Sequence, residues 1–302
     1  MNILGRCLVG LLLLAILVAA AITLTSKGAY GLTLFAIFPV VLGGLTSWAL
    51  RPQTGAKALL LGAEAALAGC AFLLLLGEEG VICLIMALPL AVPLSCLGSW
   101  VVYRADEPKR AMRGAAMLLL LPPGILWDAR AVPPVYEVRS SVVIAARPEQ
   151  VWRHVVAFAD MPEPREWYFR IGLAYPQRAR MAGSGPGAVR YCDFSTGSVV
   201  EPVEVWDEPH LLRFRVTESP APLHELSLYA QVLPRHLHGY LISKAGEFRL
   251  TPLAGNRTLL EGTSWYQHGL GPAPYWRLWS DAVIHRIHMR VLTHIQSLAE
   301  HS

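Results

Sequence analysis

The chain has 302 residues, 54% hydrophobic and only 16% charged, with a mean hydropathy of +0.40 and a formal net charge of +4. That balance is too apolar for an ordinary water-soluble globule, and Lys and Arg form no run of the kind that tracks phosphates, which excludes nucleic acid as an expected partner. The apolar residues gather before about Trp127 and the charges and most histidines come after it, so a lipid-embedded part and a separate water-soluble part are expected. Of the five cysteines, Cys7, Cys70, Cys83 and Cys96 lie in apolar stretches and only Cys192 lies in the second half. Neither a disulfide framework nor a paired-Cys metal site can be read from that.

Arg6 followed by a long apolar run resembles a signal peptide, but no small-residue cleavage site follows, and the segment reads as an uncleaved first span. Residues 7–25, 29–50, 58–76 and 81–103 are each long enough to cross the hydrocarbon layer, which takes about 20 residues as helix. Helix is the form expected, because unpaired backbone amides are too costly in lipid. Glu64, alone in the third stretch, either lies near the interface or points into the bundle. Arg6, Arg51, Lys57, Arg104, Lys109, Arg110 and Arg113 fall on one side while Glu78 and Glu79 fall on the other, with Lys27 a minor exception. The basic side is expected to face the cytoplasm, in a multi-pass protein of the plasma (inner) membrane. Residues 112–127 are shorter and interrupted by Pro122, Pro123 and Gly124. As a fifth span they place the C-terminal half outside the cytoplasm, and as an interfacial helix they leave it inside; the fifth span is the reading favoured here.

The expected division is therefore 1–127 as a membrane all-α region, 128–134 as a linker and 135–302 as an α+β domain. "VYEVRSSVVIAA" alternates as a half-buried strand does, and "RPEQVWRHVVAFADMPE" opens a helix with Pro148 in its first turn and Val151, Trp152, Val155 and Val156 inward. Strand character recurs at 187–196, 199–207, 211–218, 246–252 and 258–267, with a turn at Gly255 and Asn256, and a long helix spans about 274–300.

This order of elements, with "VRSSVVIAARPEQVWRHVVAF" at its start and "GEFRLTPLAGNRTLLEGTSW" as a late hairpin, resembles the START-like (SRPBCC) superfamily of polyketide cyclases and lipid-transfer domains over residues 135–300. The resemblance implies a helix-grip fold: a curved antiparallel sheet around a long C-terminal helix, with a cavity between them for an apolar ligand. It implies no cofactor, and membrane spans are no part of the usual family pattern.

At 100° per residue, Asp281, His285, His288 and Leu292 share one margin of the last helix, beside an apolar face of Ile284, Ile287, Val291, Ile295 and Leu298. The spacing lets Asp281 orient His285 while His288 holds a proton, a metal or a ligand's polar end, or lets all three finish the packing against neighbouring strands. A zinc site lacks a recognised third ligand, with His224, His236, His238 and His268 at no known spacing, and no metal is expected. Arg190, Glu261 and Tyr266, with Asp193 and His268, lie on strands facing either a cavity or solvent. Arg190 and Tyr266 suit a ligand carboxylate or carbonyl. Trp265, Tyr275, Trp276 and Trp279 read as core, interface or headgroup-level aromatics. Nucleophile elbows, phosphate-binding glycine loops and metalloprotease motifs are not found. The leading expectation is a membrane-anchored module that binds a lipid or other hydrophobic small molecule. The alternatives are a cyclase-like enzyme using Asp281, His285 and His288 on a polyketide-like or isoprenoid ligand, and a structural or sensory protein with a filled cavity.

Overall fold

The computed structural model describes residues 3–26, 29–105, 107–229, 234, 237 and 239–301; Lys27, His236 and His238 lie outside these described residues. The chain divides into two compact units, the first made of Met1–Val132, Glu225–His236 and Gly269–Trp276, and the second of Pro133–His224, Leu237–His268 and Arg277–Ser302.

The first unit is helical: α1 (Ile3–Ser26), a π-helical turn (Thr33–Ile37) running into α2 (Phe38–Leu50), α3 (Gly55–Leu76), α4 (Val81–Tyr103), α5 (Glu107–Leu118) and α6 (Leu121–Asp128). Three stretches, Thr33–Leu50, Gly55–Leu76 and Val81–Tyr103, are long and apolar enough to cross a membrane, and a further apolar stretch, Ala15–Ser26, is shorter. Where lipid removes the hydrophobic drive, helices associate through close backbone approach at small residues. A Cβ at Gly98 would fall 1.9 Å from the Val40 carbonyl oxygen, and one at Gly43 would fall 1.9 Å from that of Ser95. Ser99 adds a hydrogen bond of 2.6 Å to the Ala58 carbonyl. Leu59, Leu60, Leu67, Leu75 and Leu76 remain exposed on α3, and so does Glu64, which does not point into the bundle.

The 112–127 stretch is two short helices separated by a turn at Leu119 and Leu120. Pro122 and Pro123 sit in the first turn of α6, where a missing N–H breaks no helical bond, so they do not end the segment. Together α5 and α6 retrace α2 and the π-helical turn before it in reverse: Gly114 lies against Trp48, Met117 against Gly44, and Gly124 against Ile37 and Thr33. At the far end the Asp128 carboxylate accepts from the backbone N–H groups of Leu32 and Thr33, both at 2.8 Å. A second distant carboxylate does the same for α4, as Glu225 accepts from Ile82 and Cys83 N–H at 3.0 Å each. Helix N-termini carry unpaired donors and partial positive charge, which such carboxylates neutralise.

The second unit opens with β1 (Val135–Ile144), α7 (Pro148–Val156) and α8 (Trp167–Arg170). Six strands follow: β2 (Pro176–Ala182), β3 (Val189–Phe194), β4 (Gly197–Asp207), β5 (Leu211–Arg215), β6 (Leu241–Leu253) and β7 (Arg257–His268); the chain then ends in α9 (Ala273–Glu300). All pairings are antiparallel in the order β1-β7-β6-β5-β4-β3-β2, a curled half-barrel around α9 and therefore a helix-grip fold. Inward residues of the sheet, such as Ile144, Leu212, Leu250 and Leu260, meet Val151, Trp152 and Val155 of α7 and Leu292 and Ile295 of α9 in one core. Each such side chain contributes roughly 1.5–3 kcal/mol on leaving water. Two strands depart most from the sequence expectation. β2 was not expected, because "PQRARMA" offers mainly Ala179 to the core between exposed arginines, which an edge strand tolerates. β6 begins five residues before the expected position 246, past a β-bulge between Ser243 and Ala245.

Candidate functional site

Between the sheet and α9 lies a cavity of about 170 Å³, with Arg190, Glu201, Phe214, Phe248, Ser264 and His288 on its wall. An apolar protein cavity of about 150 Å³ is enough to admit a benzene-sized molecule. Phe214 is opposite Gly246 in the β5–β6 register, and a Cβ at Gly246 would fall 2.6 Å from the Phe214 ring. The bare glycine is what lets that ring lie along the strand.

Arg190 is 2% exposed. Its guanidinium carbon stands 5.9 Å, 5.6 Å and 5.4 Å from the ring centres of Phe158, Phe214 and Phe248. Nη1 donates to Glu201 Oε2, its directly opposite partner across β3 and β4. Nε and Nη2, both buried, find no oxygen acceptor among the described residues, with the Cys192 thiol as a further polar neighbour. Burial raises the Glu201 carboxyl above its usual range even against the opposing guanidinium. Arg190 stays charged: burial, the largest influence, disfavours its charge, and Glu201 and Cys192 together more than offset this. Burial pushes the Cys192 thiol up to about 12, so it stays protonated and supplies no nucleophile.

The polar stripe of α9 faces β1 and β7, but its members divide. Asp281 does not orient His285; it accepts from the Tyr266 hydroxyl and, at 3.1 Å, from Arg277 Nε. The two imidazoles meet instead at Ser140 of β1, with His285 Nδ1 at 2.8 Å and His288 Nδ1 at 3.1 Å from its Oγ. His288 Nε2 then lies 2.7 Å from Ser264 Oγ. His285 is exposed, whereas His288 and Ser264 line the cavity.

Tyr266 is buried and His268 stacks on Tyr136 at 5.1 Å, but Tyr266 and Asp281 are not part of the cavity wall. Glu261 lies 4.0 Å from Arg139 and is also outside the wall, since alternation turns it away from the face that carries Leu260, Gly262 and Ser264. Asp193 is held by Arg178 and Arg180. Among the described residues no three His, Cys, Asp or Glu side chains gather to hold a metal ion. Glu201, Ser140 and Ser264 are the site residues that sequence reasoning missed. Glu201 was within reach, because a two-residue turn at Ser195 and Thr196 sets it opposite Arg190.

Burial, with His285 pushing the same way, lowers His288 to about 4. An unfolded histidine titrates near 6.5, so between these values the unfolded chain takes up a proton that the folded chain refuses. Stability from this residue is whole above pH 6.5 and falls by about 1.4 kcal/mol per pH unit down to about pH 4. Thermal melts of the full chain in detergent between pH 7 and 4.5 are expected to fall less steeply for His288→Gln than for the native chain; parallel slopes contradict the assignment.

The family described as polyketide cyclase/dehydrase and lipid transport matches residues 136–268. No curated protein matches the chain. Among solved structures, the ZhuI aromatase/cyclase from a Streptomyces species is 17% identical, covering 55% of this chain and 94% of that one at a TM-score of 0.37. Norcoclaurine synthase from Thalictrum flavum, with dopamine and hydroxybenzaldehyde bound, is 12% identical over 59% of this chain and 94% of that one, also at 0.37. A protein from Nitrosospira multiformis is 17% identical over 54% and 94%, at 0.35. With the strand order above, the family match assigns residues 136–268 to a polyketide cyclase/dehydrase-type domain of the SRPBCC superfamily, which follows a region of apolar helices.

Proposed function

We propose that the domain binds an apolar small molecule or lipid whose polar end carries an oxygen acceptor, and that the helices hold it at the membrane that supplies this ligand. The observation that carries the reading is Arg190: a buried guanidinium on the cavity wall, one nitrogen donating to Glu201 and the two others without an oxygen partner among the described residues. Unmet buried donors are costly, and an arriving carbonyl or carboxylate relieves that cost. Phe214 and Phe248 supply the apolar and aromatic surface around it.

A matched pair of probes tests this. The ketone 2-acetylnaphthalene is expected to bind the full chain about 10- to 100-fold more tightly than 2-ethylnaphthalene, the scale of a hydrogen bond to a charged group. Arg190→Met is expected to erase that preference. Because this change leaves Glu201 buried and unpaired, the doubly substituted Arg190→Met, Glu201→Met chain provides the folded control. Equal affinities in the native chain, or a preference that survives in the double variant, defeat the reading.

For topology the proposal is five crossings, with α5 and α6 together as the fifth and the C-terminal domain outside the cytoplasm. The support is the reversed run of α5 along α2 and of α6 along the preceding π-helical turn, and the pinning of Asp128 at the end away from Arg51, Lys57 and Arg104. A reporter active only in the cytoplasm and fused after Ser302 is expected to be silent, and strong activity there removes the fifth crossing.

A further inference from the structure

We infer that His285, Ser140, His288 and Ser264 form a proton relay between bulk water and the cavity, giving the domain an acid–base function beyond binding. The four groups are joined without a gap: 2.8 Å from His285 Nδ1 to Ser140 Oγ, 3.1 Å from there to His288 Nδ1, and 2.7 Å from His288 Nε2 to Ser264 Oγ. The outer end is exposed and the inner two members line the cavity. Ser140, between them, is 5% exposed and is shared by both rings, so its single proton goes to one ring while it accepts from the other. Plain structural capping of a buried imidazole needs only His288 and a partner at each nitrogen; it gives no reason for an exposed second histidine on the same hydroxyl.

The chemistry balances. In one arrangement His285 Nδ1–H donates to Ser140, Ser140 to His288 Nδ1, His288 Nε2–H to Ser264, and Ser264 to the ligand. Passing one proton to the ligand shifts each proton one place inward, and His285 Nε2 takes a replacement from water. Both rings start and finish neutral with their tautomers exchanged. A proton taken from the ligand runs the chain backwards and resets it. For an enolisable ketone the C–H electron pair becomes the C=C bond, the carbonyl π pair moves onto oxygen, and the enolate faces the Arg190 guanidinium. A His288 that is neutral at pH 7 is both donor and acceptor, as the relay requires. The delivery of protons to a ligand rests on the binding reading above, but the relay itself does not.

Two measurements keep them apart. In the full chain labelled with 15N-histidine and carrying no added ligand, His288 is expected to show nitrogen shifts averaged between its tautomers, and Ser140→Ala is expected to fix one tautomer. A single fixed tautomer in both proteins overturns the relay. With 2-acetylnaphthalene in deuterated buffer, the native chain is expected to accelerate exchange of the methyl protons, read by NMR. Ser140→Ala and the exposed His285→Ala are expected to slow it about 100-fold with ketone affinity kept. Bound ketone that exchanges no faster than in buffer overturns proton delivery and leaves binding intact. A ketone that does not bind overturns the binding reading, while the nitrogen shifts still decide the relay.

Discussion

Arg190 and Glu201 face each other across two neighbouring strands with almost no access to water, and the rest of the site is arranged around the cost of that burial. Removing two charges from water costs several kcal/mol each, and a single hydrogen bond between them does not return it. Three phenylalanine rings offer the guanidinium their electron-rich faces at 5.4 to 5.9 Å, which offsets part of the loss. Two of the guanidinium nitrogens still lack an oxygen partner among the described residues. A core built only for stability often does as well or better with hydrophobic residues of the same volume, and on the proposed reading the pair is recognition chemistry set in an aromatic pocket.

The rest of the wall suits the proposed ligand. Ser264 and His288 set a second polar patch on the α9 side of a cavity whose other surface is mostly apolar. On the proposed reading, an oxygen acceptor at Arg190 and the inferred proton path at Ser264 give a bound molecule two different polar contacts. Binding and acid–base chemistry are therefore compatible uses of one cavity. In the helical unit, charge is used differently: Asp128 and Glu225 each come from far along the chain to the bare N-terminus of a helix, at sequence separations of 95 to 96 and 142 to 143 residues.

Much of the architecture was legible in the sequence, because periodicity reports burial directly. β1 and α7 followed from alternation giving way to a 3.6-residue period, and α9 from its apolar face. β2 escaped because an edge strand with one small core residue and two exposed arginines has almost no pattern to read. The stripe of Asp281, His285 and His288 was correctly placed on one margin of α9, but helix geometry fixes only a direction. Which strand residues receive each side chain depends on register across the sheet, and Ser140, Ser264 and Tyr266 determined that Asp281 and His285 do not meet. The facing of Glu261 stayed open in the sequence for a related reason: a one-residue difference decides which face of a strand a side chain takes. The carboxylate caps in the helical unit had no local signal at all.

A structure of the full chain with 2-acetylnaphthalene bound tests the central claim most directly. The naphthalene rings are expected against Phe214 and Phe248, with the ketone oxygen within hydrogen-bond reach of Arg190 Nε or Nη2. A cavity that remains empty, or a ketone seated with its oxygen away from Arg190, contradicts it.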